Sequence, residues 1–117
     1  MKPQQPDQAY RAARDTLLIA ARQTGANALG EDVYWTLGAL RQLLTSLDAA
    51  LGSFGDGLVD RACAGELTNV EGPFTGDPVE SALTANQWLD RARAHLAEAR
   101  DAADNAHIAI AGMARSR

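Results

Sequence analysis

From Val33 onward an apolar residue returns every three or four positions: Val33, Leu37, Leu40, Leu44, Leu47, Leu51 and Phe54. That 4-3-4-3-4-3 spacing predicts a helix over about 31–52. Glu31 and Asp32 sit in its first turn, where the helix dipole favours acids. A second seam runs through Ala82, Ala85, Leu89, Ala92, Leu96, Ala99, Ala103, Ala106, Ile110 and Met113, and predicts a helix over about 78–114. Asp77 suits its N-cap, Pro78 its first helical position, and Glu80 stands at N3. At ~1.5 Å per residue this helix is roughly 55 Å long against about 33 Å for the leucine helix, so one end overhangs its neighbours.

Tyr10, Ala13, Leu17, Ala20 and Ala21 mark a first helix over about 7–24 after a flexible lead-in, residues 1–6. Gly25 fits its end. Glycines in Leu51-Gly-Ser-Phe-Gly-Asp-Gly57 break the leucine helix, leaving a short helix over about 56–64. The stretch from Gly65 to Pro78 reads as a loop, long for a small domain. No alternating β-branched run predicts a strand. The expected fold is all-α: an antiparallel helical bundle, one domain over 7–117, with three main helices and one short one.

Most of the last helix's seam is alanine. Small side chains let helix axes approach closely and suit a leucine-rich partner, large against small. The expected packing sets Leu37, Leu40, Leu44 and Leu47 over Ala92, Leu96, Ala99 and Ala103. The C-terminal end then lacks an intramolecular partner, which makes Ala103, Ala106, Ile108, Ile110 and Met113 interface candidates. Trp35 falls on the back of the leucine helix beside small residues including Ala39 and Gln42. An indole there is a candidate anchor, since Trp recurs at binding hot spots. Phe74, in the loop, is a further candidate surface.

Composition narrows the function. One domain fits 117 residues, and 46% hydrophobic content fits a folded chain. Aromatics are only 5% of the chain, so a monomer has a thin core. Net charge is +2 over residues 1–25, −7 over 26–80 and +1 over 81–117. An acidic middle opposes a broad phosphate-tracking surface, and Arg11, Arg14 and Arg22 read as a solvated helix face. Arginine outnumbers lysine ten to one, which with the alanine load points to a GC-rich bacterial genome. Cys63 stands alone, excluding an internal disulfide, and reads as a small buried hydrophobe. The N-terminus lacks an apolar signal core and no run approaches a membrane span, so the expected location is cytoplasmic; export by a signal-less route stays open.

Two carboxylate–imidazole pairs stand at i, i+3: His95 with Glu98, and Asp104 with His107. Di-iron bundles place such pairs on separate helices, together with further inward acids. Both pairs here share one helix, and no acid points inward from the leucine helix. They are weak metal candidates, and no cofactor is expected. No phosphate loop or nucleophile–base pair is readable. A helix-turn-helix around Ala21 to Leu40 would put Glu31 and Asp32 where a recognition helix meets DNA, so nucleic-acid binding is not expected.

In size, helicity and alanine content the chain is similar to the WXG100 secretion substrates of actinobacteria. Those carry Trp-x-Gly at the turn of a helical hairpin and a Tyr-x-x-x-Asp/Glu tail. Here Trp35-Thr36-Leu37-Gly38 is one residue longer and inside a helix, and the tail has no tyrosine, so the likeness is one of size and composition only. The sequence therefore points to a non-catalytic helical interaction module that homo-oligomerises, as a dimer, or docks another helical protein. The alternatives are a small helical metal- or ligand-binding protein or enzyme, and a secreted WXG100-like effector.

Overall fold

A computed structural model of the chain describes residues 5–27 and 33–113, with residues 25–27 as backbone only. Three helices form: α1 (Pro6–Asn27), α2 (Val33–Cys63) and α3 (Pro78–Ala109). The described residues contain no strand. The expected first turn at Glu31 and Asp32 and the last expected helical residue, 114, lie outside the described residues, as does most of the lead-in.

Pro6 opens α1, and the Gln8 side chain reaches back to accept from the Gln5 N–H at 3.3 Å. This is half of a capping box, with glutamine in the N3 role. Gly25 does not end α1, which continues to Asn27.

The glycines after Leu51 do not break α2 either. The helix runs unbroken through Gly52, Gly55 and Gly57, so the expected short helix is its last two turns. Gly52 and Gly55 are buried against α3, where the missing side chain lets the second helix come close. That packing offsets the ~1 kcal/mol each glycine costs inside a helix. The helix stops at Gly65, whose φ of 78° is the left-handed conformation glycine tolerates. The Gly65 N–H donates to the Ala62 carbonyl at 3.1 Å and the Glu66 N–H to the Arg61 carbonyl at 3.0 Å, the paired bonds of a Schellman motif.

Residues 64–77 connect α2 to α3. Inside the connection the Asn69 side-chain amide donates to the Phe74 carbonyl at 3.1 Å, and the Gly76 N–H donates to the Asn69 carbonyl at 3.0 Å. These bonds fold the segment into a compact loop. Asp77 caps α3 as expected, accepting from the Glu80 N–H at 3.0 Å. The reciprocal half of that box is replaced, because the Asp77 N–H donates to the Phe74 carbonyl.

With 31 residues in α2 and 32 in α3, the two helices are matched in length, and the expected overhang is absent. They pack as an antiparallel hairpin. Among the described residues α1 packs on neither. The radius of gyration is 19.1 Å, against about 13 Å for a compact chain of this length. Among the described residues only Ala62 and Ala82 are buried apolar side chains, and no large side chain is fully buried.

Candidate functional site: an uncovered apolar face

The hairpin closes along a line of small and charged residues. A Cβ added at Gly38 would lie 3.5 Å from His107 Nε2, and one at Gly52 would lie 2.8 Å from the Arg93 guanidinium. Gly55 meets Asn86 and Leu89. Between the glycines, charges pair across the helices: Arg93 Nε donates to Asp48 Oδ1 at 3.0 Å, and Arg41 pairs with Asp104. The hydrogen bond from Arg93 holds the Asp48 carboxyl below the usual carboxylate range, against the opposing effect of its burial; the charges of Arg93 and Arg100 add to the lowering. The same bond, with the carboxylate's charge, raises Arg93.

At the open end of the hairpin His107 is buried. Arg41 Nη1 lies 2.8 Å from His107 Nδ1 and the Tyr34 carbonyl lies 3.0 Å from Nε2. Arginine only donates and a carbonyl only accepts, so Nδ1 accepts and the Nε2–H donates. The imidazole also stacks on the Tyr34 ring, with centroids 3.9 Å apart. His107 is therefore a structural clamp between the start of α2 and the end of α3.

This contact line is not the expected one. Most residues on it follow an expected seam residue by one: Gly38 after Leu37, Arg41 after Leu40, Asp48 after Leu47, Gly52 after Leu51, Gly55 after Phe54; Leu89, which meets Gly55, is itself a seam residue, as is the buried Ala82. On α3 the same offset relates Asn86 to Ala85, Arg93 to Ala92, Asp104 to Ala103 and His107 to Ala106. One residue is about 100° around a helix. The leucine seam of α2 and the alanine seam of α3 thus lie mainly beside the contact, with Leu37, Leu44, Leu51, Leu89 and Leu96 half-buried at its margin. Asp48 in turn faces α3, where the sequence had offered no inward acid.

Both seams flank the contact on the same side. Seen end on, right-handed helices running in opposite directions turn in opposite senses, so one step back from the contact line swings both toward one face of the hairpin. That face carries Leu40, Leu44, Leu47 and Leu51 from α2 beside Leu89, Ala92, Leu96 and Ala103 from α3. Leu40 and Leu47 are exposed and the other six half-buried, and Phe54 and Trp88 at the two edges are 61% and 62% exposed. Arg91 lies over the Trp88 ring, 4.9 Å from its centroid. No Asp, Glu, Lys or Arg occupies the face between Thr36 and Phe54 on α2 or at its positions from Ala85 to Ala106 on α3. The opposite side is acidic, with Asp56, Asp60, Asp90 and Asp101.

The other sequence candidates fall in several places. Trp35 and Ile108 are 74% and 73% exposed and sit at one level on the opposite side, at the open end of the hairpin. Ala39 and Gln42 are exposed; Ala103 is half-buried and Ala106 exposed. Ile110 caps α3 and Met113 lies beyond it, exposed. Phe74 is half-buried in the connecting loop. Cys63 is exposed at the end of α2, not buried as expected. Arg11 and Arg14 are exposed on α1 and pair with Asp7 and Asp15.

The metal candidates are not brought together. His95 and Glu98 stand 3.8 Å apart on the surface of α3, while Asp104 and His107 are engaged by Arg41. Among the described residues no group of three His, Cys, Asp or Glu could hold a metal. A cleft of about 260 Å³ lies between Arg41, Gln42, Thr45, Arg100, Asp101 and Asp104, where two arginines and two aspartates balance. No helix among the described residues is long and apolar enough to cross a membrane. No known protein family, curated protein or solved structure matches the chain.

Proposed function

We propose that the chain is a non-catalytic helical interaction module whose working surface is the apolar face of the α2–α3 hairpin. One observation carries the reading: the strongest apolar seam in the sequence lies mainly beside the hairpin contact instead of inside it, with Leu40, Leu47, Phe54 and Trp88 left in water. A contiguous apolar face rimmed by polar residues marks a contact surface. Two flat seams side by side form a shallow trough of the kind an amphipathic helix fills. Filling it completes a helical bundle with large side chains inside. Trp35 with Ile108 is a second, smaller apolar spot outside that face.

The test measures native mass and the emission of 8-anilinonaphthalene-1-sulfonate together. The reading expects either an assembled chain or a monomer that binds the dye, with Leu44→Asp/Leu51→Asp removing the assembly or the dye signal. Ser46→Asp/Ser53→Asp, on the far side of α2, leaves both unchanged. A wild-type monomer that is silent to the dye overturns the reading.

A further inference from the structure

We infer that the occupant of the face is a second copy of this chain, in a two-fold pair whose axis runs along the hairpin, so that α2 of each copy lies on α3 of the other. The inference rests on the interaction-module reading and names its partner.

The exposed area sets the scale. The chain exposes 9081 Å², whereas a compact 12.4 kDa monomer exposes about 6,100 Å². The excess is about 3,000 Å² per chain, part of it α1's own. Obligate homodimers bury 2,000 Å² or more in total, about 1,000 Å² from each partner, which is a third of that excess.

Shape then selects the partner and its orientation. The face has one half of large residues, the α2 leucines, and an α3 half in which alanines (Ala85, Ala92, Ala99, Ala103 and Ala106) outnumber Leu89 and Leu96. A two-fold interface joins a surface to itself. With the axis along the hairpin, each copy's leucine half meets the other's alanine half, and layers interdigitate. With the axis across the hairpin, leucines would meet leucines and alanines alanines, overpacking one half and leaving the other hollow. The chosen axis also keeps the level along the hairpin. In the chain's own contacts Arg41 pairs with Asp104 and Asp48 with Arg93. Leu40 therefore falls opposite Ala103 of the second copy, and Leu44 opposite its Ala99. At the edge, Phe54 of one copy reaches the Trp88 of the other. The face opposes no Asp, Glu, Lys or Arg to its own image, so self-pairing buries no unpaired charge of those residues.

Cysteine pairing tests this. In a Cys63→Ser background, Leu44→Cys and Ala99→Cys chains are made separately, checked for wild-type helix content by circular dichroism, mixed while reduced and then oxidised. The expected result is a disulfide-linked pair in the mixture that neither chain forms alone, with Leu40→Cys and Ala103→Cys behaving alike. Self-crosslinking of Leu44→Cys alone overturns the arrangement, because α2 then lies on α2. An assembled mass without crosslinks in either mixture also overturns it, the copies meeting elsewhere, while the interaction reading stands. A monomer overturns it too. If that monomer binds the dye the face is kept for a foreign helix, and if it is silent the interaction reading falls as well.

Discussion

Gly55 of α2 sits so close against Asn86 of α3 that any side chain at position 55 would overlap the asparagine amide. A Cβ there would also lie 3.3 Å from the Leu89 methyl. Gly57, two residues on in the same helix, has nothing within 4 Å of where its Cβ would be. The pair separates two roles of glycine within one helical turn. Gly57→Ala is expected to raise the stability of the chain by about 1 kcal/mol, the ordinary helix-propensity gain. Gly55→Ala is expected to fall short of that gain, because the Asn86 amide has to swing aside and the Leu89 methyl give way to admit the new methyl. Chemical denaturation of the two variants beside wild type measures each change.

The Asp48–Arg93 pair gives the hairpin a pH dependence with a definite sign. Asp48 is held below its ordinary value when folded. Its contribution is therefore fully present above the unfolded carboxylate value of about 3.9 and is lost as the pH falls through the folded value. The stability difference between wild type and Asp48→Asn should be constant at neutral pH and close as the solution is acidified below about pH 4. A difference that grows on acidification would contradict the pairing.

His107 clamps the open end of the hairpin by two hydrogen bonds and a stacked ring. His107→Ala is expected to cost about 1–3 kcal/mol, the range for buried polar groups left without partners. His107→Phe keeps the stack on Tyr34 and should recover part of that loss. Hydrogen exchange at the first turns of α2 and the last turns of α3 locates the effect. By contrast His95→Ala, at an exposed position, should leave stability within about 0.5 kcal/mol.

The helices were legible from the sequence and their contact was not. Asp77-Pro78 announced the start of α3, and the 3-4 leucine spacing announced α2, because both signals are local. The leucine spacing says only that a face wants covering and carries no information about which element covers it. The hairpin contact is written in another code: Gly38, Gly52, Gly55 and Ala62, separated by fourteen, three and seven residues, all fall on one helix face. Read as punctuation, the glycines near Phe54 hid that pattern. Asp48 with Arg93 and Arg41 with Asp104 are pair signals, visible only once the register of the hairpin is known. The open face itself follows from both patterns together, since each helix has two usable sides and the hairpin consumes only one.

Trp35 offers a control for the choice of face. It is 74% exposed but lies away from the leucine face. Trp35→Ser should leave native mass unchanged while Leu44→Asp changes it. The reverse outcome would move the working surface to the open end of the hairpin, where Ile108 stands beside it.

The most direct test of self-assembly is the mass of the full wild-type chain by light scattering across a dilution series. Assembly through the leucine face predicts a particle of twice 12.4 kDa at high concentration, reduced to 12.4 kDa by Leu44→Asp with the helices retained. A wild-type mass of 12.4 kDa at every concentration would contradict it.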